Sequence, residues 1–387
     1  MRYRYSAGKD GELVKKAVIY TCDEHGINFA DVDKDAVSIV KKLKEAGFET
    51  YIVGGAVRDL VLGKKPKDFD IVSEASPARI KKIFRNARII GRRFRLVHVY
   101  SGMRIFEVST FRSLRDGLTS NTFGTIEEDV FRRDFSLNAL FYDPSQQIVV
   151  DYVGGMKDIE KKLIKPVIPL DEIFTDDPVR MIRAIKYAAA AGFTVPINMK
   201  WKIKKQSPLI SSISNSRLTE EIFKIIHSSQ AAEIVDALDK AGLYSYLQPQ
   251  AAKLMRENPD FRQRYMRSMA ANQKVQESRS ADVLGALFFD HLEDIANWKN
   301  GIVENYRIFI KAARSFIFPM APPRHDLDRA IRKFFASHGI TVKKLHLAEP
   351  PKPVKAEPEA ASGEPRPPTK KRKRRRKPSK ARQAATT

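Results

Sequence analysis

The chain has 387 residues, with 70 Lys and Arg against 46 Asp and Glu, so its formal net charge is +24. A composition of 43% hydrophobic residues excludes a wholly disordered protein, because such a chain can bury packed cores. The single cysteine, Cys22, excludes an internal disulfide and a multi-cysteine zinc site. No apolar run approaches the roughly 18 residues of a membrane span, and the amino terminus lacks the apolar segment of a secretory signal. We therefore expect a cytoplasmic protein, not membrane-bound, with about two or three domains.

The positive charge is distributed over the whole chain and is densest at its end. Residues 351–387 contain 13 Lys and Arg against 3 Glu, and the other 350 residues contain 57 against 43. Both parts are therefore basic, which favours a polyanionic partner. Nucleic acid is preferred over a membrane surface because no amphipathic anchor is evident.

Residues 1–30 are predicted to be a poorly structured lead-in. Hydrophobic periodicity then predicts alternating helices and strands, which is typical of a small α+β head with helices against a mixed sheet. The predicted elements are a helix over 33–48, a strand over 51–53, a helix over 56–62, a strand over 69–72, a helix over 76–84 opened by Ser76 and Pro77, and strands over 96–100 and 105–111.

From about Asp171 the pattern is mostly helical, and after Leu347 the composition changes to Pro, Ala, Glu and Lys, which predicts disorder. We divide the chain into an amino-terminal extension (1–24), a catalytic head (25–160), a helical neck for nucleotide and base recognition (161–230), a helical RNA-binding body (231–347) and a disordered basic tail (348–387).

The strongest local signal is the segment 51–72, YIVGGAVRDLVLGKKPKDFDIV. An apolar strand leads into Gly54 and Gly55, whose lack of side chains lets the backbone approach an anion at the start of the next helix. Asp68 and Asp70 follow at positions i and i+2, so on a strand both would point to one face. Two carboxylates so placed suit Mg²⁺ that bridges to phosphates, although such a pair can also be an ordinary solvated strand face.

Two common phosphate-binding motifs are absent from the sequence. There is no GxxxxGK[ST] run and no GxGxxG after a strand, which excludes P-loop ATPases and Rossmann dehydrogenases. Metal-assisted phosphoryl or nucleotidyl transfer remains.

GGAVRDLVLGKKPKDFDIV resembles the signature of class II nucleotidyltransferases of the polymerase-β superfamily, which includes tRNA CCA-adding enzymes and bacterial poly(A) polymerases. RRDFSLNAL, at 132–140, resembles the RRD motif of that family. DDPVRMIRA, at 176–184, resembles its base-reading motif, with Asp176 where Glu is usual. The three motifs occur in family order over residues 35–230. The resemblance implies a polymerase-β-like head followed by a helical neck and body.

The resemblance also implies roles for individual residues. Asp68 and Asp70 would be catalytic ligands of Mg²⁺ or Mn²⁺, and Asp134 either a third catalytic carboxylate or a group that holds the ribose. Asp177 and Arg180 would match the base edge, although at this spacing they could also form a simple helix salt bridge. The full set of implied nucleotide-binding residues is Gly54, Gly55, Arg58, Arg132, Arg133, Asn138, Asp177, Arg180 and Arg183.

Within the family, the sequence favours the poly(A) polymerase branch. Ser216 stands immediately before Arg217, where CCA-adding enzymes usually have Glu, and GRRFRLVHV at 91–99 resembles poly(A) polymerases more than the FGT of CCA-adding relatives. A basic carboxy-terminal extension such as KKRKRRRK is typical of the same branch. Such a run gains affinity for RNA by releasing counterions. The same basic run could also be a nuclear-localisation signal or a solubilising tail. The implied RNA-binding residues are Arg92, Arg93, Arg95, Lys370, Lys371, Arg372, Lys373, Arg374, Arg375, Arg376 and Lys377.

The sequence interpretation is thus a poly(A) polymerase that uses ATP and Mg²⁺ to extend RNA 3′ ends, of mRNA or other transcripts, with RNA-decay proteins as possible partners. A CCA-adding enzyme acting on tRNA is the first alternative, and a non-catalytic RNA-binding module is the second. Two weaker candidates are Glu107, which could approach the metals or form a strand-edge salt bridge, and the pair His325-Asp326, interpreted as an ordinary helix start.

Overall fold

The computed structural model describes residues 2–7, 13–91, 96–113, 123–271 and 280–342. Nine strands form one mixed sheet in the order β1-β2-β9-β8-β3-β4-β7-β6-β5. The strands are β1 (Arg2–Ala7), β2 (Leu13–Tyr20), β3 (Thr50–Val53), β4 (Asp70–Ser73), β5 (Ala87–Ile90), β6 (Leu96–Ser101), β7 (Arg104–Thr110), β8 (Leu140–Asp143) and β9 (Ile148–Asp151).

Helices lie between several of the strands, and the regular structure described after β9 is helical. They are α1 (Cys22–His25), α2 (Lys34–Glu45), α3 (Gly55–Val61), α4 (Pro77–Ile83), α5 (Ile126–Arg132), α6 (Gly155–Glu160), α7 (Ile173–Asp176), α8 (Val179–Ala191), α9 (Ile197–Gln206), α10 (Asn215–Ile226), α11 (Ala231–Lys240), α12 (Tyr244–Leu247), α13 (Pro249–Glu257), α14 (Pro259–Ala271), α15 (Ser280–Ile295), α16 (Ile302–Phe316) and α17 (Arg324–Ser337), with short 3₁₀ turns at Phe29–Asp31, Ser136–Asn138 and Ser207–Ser212. The predicted fold class, a polymerase-β-like head followed by helices, is confirmed.

The centre of the sheet carries its most buried side chains. On β3, β4, β8 and β9 the residues Tyr51, Val53, Val72, Phe141 and Val150 pack into one hydrophobic cluster. Burial of such side chains contributes about 1.5–3 kcal/mol each, so these strands have little freedom to shift. The sheet is therefore a rigid base for residues at its strand ends.

Side-chain caps begin two of the predicted helices; the cap at Ser76 was predicted and the cap at Asp33 was not. The Asp33 side chain accepts hydrogen bonds from the first-turn amides of α2, and the Ser76 hydroxyl accepts one from the Arg79 amide at the start of α4. Pro77 occupies the first position of α4 as predicted. These caps satisfy amides that a helix start leaves unpaired.

The expectation of a poorly structured lead-in is wrong. β1 and β2 form an antiparallel hairpin, and β2 pairs with β9 through Val18–Asp151 and Tyr20–Val149. Residues that were assigned to an amino-terminal extension therefore belong to the sheet of the head. The pairing partner lies about 130 residues away in sequence, so local periodicity gave no sign of it.

Residues Met1–Val342 form one compact unit. The predicted basic loop (Arg92, Arg93, Arg95) and the predicted basic tail (348–387) lie outside the described residues. Within the described parts of the chain, no helix combines the length and the apolar character needed to cross a lipid bilayer.

Candidate active site

The two carboxylates of the predicted metal pair lie at the start of β4. The strand begins at Asp70, so Asp68 stands just before it, and the prediction that both lie within a strand is wrong by two residues. The alternation nevertheless extends backwards, because Asp68 and Asp70 are exposed while Phe69 between them is buried. The strand opposite, β3, ends with Val53 paired to Asp70, which brings the glycine turn next to the carboxylates.

Two other carboxylates, of Glu107 and Asp68, lie close to Asp70. Partial desolvation by the surrounding protein, followed by the nearby carboxylates of Glu107 and Asp68, raises the pKa of Asp70 to about 6, against the opposing effects of Arg133 and Lys224. Glu107 is close because β4 and β7 run parallel, with Ile71 opposite Val108. The site therefore stores unfavourable negative charge that a bound cation would neutralise.

A cavity of about 540 Å³ opens beside these carboxylates. Its walls are α3, the loop before β4, and the facing ends of α8 and α10. The lining is rich in cations, among them Arg58, Lys65, Lys67 and Lys224, while Tyr187 supplies an aromatic ring. A cationic wall opposite a carboxylate pair is the arrangement that a triphosphate with its metal ions requires.

The glycine turn is packed against two guanidinium groups. Gly54 has φ of +73°, a conformation that side chains disfavour, and a Cβ placed there would lie 3.8 Å from Arg133 Nη1. A Cβ on Gly55 would lie 3.5 Å from Arg58 Nη2. The structure thus places Gly54, Gly55, Arg58 and Arg133 together, as the sequence predicted.

The predicted ribose-holding residues form a buried hydrogen-bond network. The Asn138 amide donates to Asp134 Oδ1 at 3.0 Å, and Arg58 Nη1 donates to Asn138 Oδ1 at 2.9 Å. Arg133 donates to the Asn138 carbonyl and pairs with Asp129 at 2.9 Å. Since Asp134 is buried and bonded to Asn138, its surroundings suit the sugar-holding alternative better than a third metal ligand.

The two arginines of RRD have different environments. Arg132 Nη1 donates to the Ser113 carbonyl at 2.8 Å, and burial lowers the pKa of the Arg132 guanidinium. Arg133 is therefore the member of the pair that lies at the glycine turn, whereas Arg132 faces the segment around Ser113.

The predicted pair Asp177 and Arg180 does not form. Arg180, which is buried, pairs with Asp176 at 2.7 Å, and Asp177 pairs with Arg217 of α10 at 2.8 Å. The two carboxylates separate because Asp177 lies in extended backbone between α7 and α8, where it also accepts the Val179 amide. Base reading by Asp177 and Arg180 remains a prediction, and it would require Arg180 to exchange its partner.

Arg183 lies between two acidic groups. It donates to Glu221 at 2.9 Å and lies 3.8 Å from Asp134, so it links α8 both to α10 and to the head. Glu221 also pairs with Lys186 at 2.7 Å and Lys224 at 3.7 Å. Despite burial, these cations lower the pKa of Glu221 to about 2. We call Arg183, Lys186, Lys224 and Glu221 the neck charge cluster.

Two segments of the chain match families of known proteins. Residues 50–165 match the family described as "Poly A polymerase head domain", and residues 192–255 match "Probable RNA and SrmB- binding site of polymerase A". Poly(A) polymerase I of Escherichia coli is 39% identical over 254 residues, 62% of this chain and 55% of that protein. These segments of the chain are therefore similar to domains of poly(A) polymerases and CCA-adding enzymes.

Proteins named as CCA-adding enzymes are also similar to this chain. The CCA-adding enzyme of Geobacillus kaustophilus is 36% identical over 237 residues, 59% of this chain and 58% of that protein. A crystal structure of the Bacillus stearothermophilus CCA-adding enzyme in complex with CTP superposes with a TM-score of 0.54 at 28% identity, over 79% of this chain and 83% of that one. The chain spans about half the length of the curated relatives it matches.

The donor set of the carboxylate pair fits a divalent cation. Asp68 and Asp70 offer hard oxygen ligands, and the raised pKa of Asp70 indicates that its negative charge lacks full compensation from the protein. Over the described ranges, no group of three or more His, Cys, Asp and Glu side chains is placed to hold a metal ion. The pair fits a site that substrate phosphates complete, as Mg²⁺ sites commonly do.

The raised pKa of Asp70 predicts pH-dependent metal binding. Mg²⁺ binds the ionised carboxylate, and below pH of about 6 Asp70 becomes protonated, so the affinity should fall up to tenfold per pH unit from there downward. Isothermal titration with Mg²⁺ between about pH 5 and about pH 8 measures this affinity. An affinity that stays constant through pH of about 6 would contradict the assignment.

Sequence reasoning missed three contributors to this site. Tyr187 and Lys224 line the cavity, and Glu221 anchors the neck charge cluster. All three lie on helices far along the chain from the glycine turn, where spacing carried no signal. Glu107 was noted, and its pairing with His98 at 3.5 Å shows that the strand-edge ion pair and the approach to Asp70 occur together. His325 and Asp326 lie together at the start of α17, 3.3 Å apart, as an ordinary helix start.

Proposed function

We propose that this protein is a template-independent polynucleotide adenylyltransferase that transfers AMP from ATP to RNA 3′ ends and releases pyrophosphate. The observation that carries the proposal is the exposed carboxylate pair Asp68 and Asp70 at the wall of a cationic cavity. The matches to both domain families support it.

The proposed mechanism uses residues that the fold brings together. Arg58, Lys67 and Lys224 would bind the triphosphate within the cavity. Asp134 and Asn138 would hold the ribose, since they form one hydrogen-bonded unit beside Arg58. Asp68 and Asp70 would hold Mg²⁺, which supplies Lewis-acid activation and charge neutralisation when bound. The RNA 3′-hydroxyl would then attack the α-phosphorus in line, with pyrophosphate as the leaving group.

Specificity for ATP alone is supported by features near the base-reading segment. Position 216, immediately before Arg217, is an exposed serine whose hydroxyl lies 3.2 Å from that of Ser214. Arg217 instead receives its carboxylate from Asp177. A site without the additional glutamate resembles the poly(A) polymerase branch, and relatives from Escherichia coli and Haemophilus influenzae named Poly(A) polymerase I share 39% and 37% identity with the chain.

The experiment is a primer-extension assay with the whole 387-residue chain. Purified enzyme and Mg²⁺ are incubated with labelled ATP or labelled CTP, using oligo(A) and a tRNA lacking its terminal CCA as separate primers. We expect long products with ATP on oligo(A) and little incorporation of CTP.

Two other results would redirect the assignment. Addition of two C residues and one A to tRNA would assign the CCA-adding function, which the relative from Geobacillus kaustophilus favours. RNA binding without any metal-dependent ATP turnover would assign a non-catalytic RNA-binding module. Cytoplasmic location and association with RNA-decay proteins are further expectations of the polyadenylation role.

A further inference from the structure

The face of the sheet next to the carboxylate pair is open to solvent along β7, β6 and β5. Ile105 and Ile90 are 52% and 41% exposed, and Glu107 and Arg88 are exposed as well. On the opposite face of β6 and β7 the side chains are buried, as the alternation requires; they are Val97, Val99, Phe106 and Val108. We call the outward side chains of Arg88, Ile90, His98, Tyr100, Ile105 and Glu107 the open face.

Strand register connects the open face directly to Asp70. Glu107 lies beside Asp70 on the neighbouring parallel strand. His98 lies opposite Glu107, and Arg88 lies opposite His98. Residues opposite one another on neighbouring strands share a face, so these four side chains form one row. With about 4.8 Å between strands, the row runs about 14 Å from β4 to β5.

The open face and the cavity lie on different sides of the carboxylate pair. The cavity is bounded by α3, the loop before β4 and the neck helices, whereas the open face begins at β7 on the other side of β4. An in-line transfer needs the attacking hydroxyl and the leaving pyrophosphate on opposite sides of the phosphorus. If the nucleotide occupies the cavity, the RNA end must approach from the side of the open face.

The chemistry of the open face suits single-stranded nucleic acid. Tyr100 presents a half-buried ring, and the Arg88 guanidinium lies over it, 5.9 Å from its centroid. Arg88 forms no ion pair with any described carboxylate. Glu107, the acid of the row, pairs with His98 and lies nearest Asp70, where an RNA strand ends in a neutral hydroxyl.

We propose that the open face binds the 3′-terminal nucleotides of the RNA substrate, with a base stacked on Tyr100 and a phosphate bound by Arg88. The proposal rests on the proposed function, because it assigns the path of the strand that the enzyme extends. At about 3.4 Å per stacked nucleotide, the row of about 14 Å accommodates about four nucleotides. Arg88 therefore contacts RNA that is too far from the 3′ end for a dinucleotide primer to reach.

The test compares Tyr100→Ala and Arg88→Ala with the unaltered protein. Fluorescence anisotropy with labelled oligo(A) of about 15 nucleotides, without metal or ATP, gives Kd as a function of salt concentration. Tyr100→Ala should raise Kd about 5- to 100-fold, the usual effect of losing a stacked base. Arg88→Ala should raise Kd and lower the slope of log Kd against log salt by about 0.7, the value for one phosphate contact on a single strand.

Matched variants separate binding from folding. Tyr100→Phe keeps the ring and should change Kd by less than about twofold. Tyr5→Ala removes an exposed tyrosine from β1, at the far edge of the same sheet, and should leave Kd unchanged. Arg88 is exposed on an edge strand, so its removal should also leave the melting temperature unchanged.

Primer length supplies the second readout. In the AMP-transfer assay, both variants should raise KM for the long primer. Arg88→Ala should leave KM for a dinucleotide primer unchanged. Unchanged Kd, salt slope and long-primer KM in both variants would overturn the proposal. If the unaltered protein transfers no AMP at all, the proposed function fails, while the anisotropy measurement still decides whether the open face binds RNA.

Discussion

Replacing Asp68 and Asp70 together by alanine is expected to lower the rate of AMP transfer by at least about a thousandfold. Both carboxylates are needed to hold Mg²⁺ against the phosphates, and removing a contribution of about 4 kcal/mol to the transition state has an effect of that size. Single-turnover incorporation of labelled AMP, with ATP and primer saturating, measures the chemical step directly.

The single replacement Asp70→Asn is expected to increase stability and to abolish AMP transfer. Asp70 has a pKa raised to about 6 because its charged form is disfavoured, so Asp70→Asn should raise the melting temperature at neutral pH while it abolishes transfer. Asp260→Ala is the matched control, since Asp260 is an exposed aspartate on α14 in the body. A double alanine variant with unimpaired transfer would refute the proposed mechanism.

Glu221→Ala is expected to destabilise the protein by about 3–5 kcal/mol, the usual cost of leaving buried cations without their partner. Glu221 is 2% exposed and forms salt bridges with Lys186 at 2.7 Å and Arg183 at 2.9 Å. Urea unfolding followed by circular dichroism measures the loss. Glu220→Ala serves as the control, because its side chain is exposed on the next position of the same helix.

The same residue gives the loss a characteristic pH dependence. The pKa of Glu221 is lowered to about 2 from an ordinary value of 4.5, so its stabilisation is complete above pH of about 4.5. It is lost as the pH falls from there towards about 2. The stability difference between the unaltered protein and Glu221→Ala should therefore shrink over that interval. A difference that stays constant down to pH of about 2 would show that the carboxylate charge is not responsible.

Local chemistry made the parts of the head with strong signals predictable. The glycine turn, the cap of α4, and the strand carrying Asp70 each depend on residues a few positions apart, where steric and hydrogen-bonding rules act. The helix that follows the turn, predicted over 56–62, spans Gly55–Val61. The resemblance to a family with ordered motifs then supplied the long-range arrangement.

Side-chain partners were harder to predict than elements. Arg180 could pair with either of two adjacent aspartates at nearly equal helical spacing. Arg180 pairs with Asp176, which is the last residue of α7. Asp177 follows in extended backbone and pairs with Arg217. A one-residue difference in where a helix ends decided the outcome, and boundaries are the least certain part of a sequence prediction. The β1–β2 hairpin was missed for a related reason, since its partner strand is distant in sequence.

The neck charge cluster limits how this chain can be combined with similar proteins in a chimaera. All its members lie on α8 and α10, where Glu221 is the shared counter-charge of Arg183, Lys186 and Lys224. Several contacts join α8 to the head. Arg183 lies 3.8 Å from Asp134, and Arg180 Nη2 donates to the Arg132 carbonyl at 3.0 Å. The Arg58 guanidinium lies over the Tyr187 ring, 5.3 Å from its centroid. An exchange of α8 to α10 alone would separate buried Arg180 from Asp176, so the exchanged segment should begin at α7. The recipient head should also supply a carboxylate near Arg183, since Asp134 stays behind in the head.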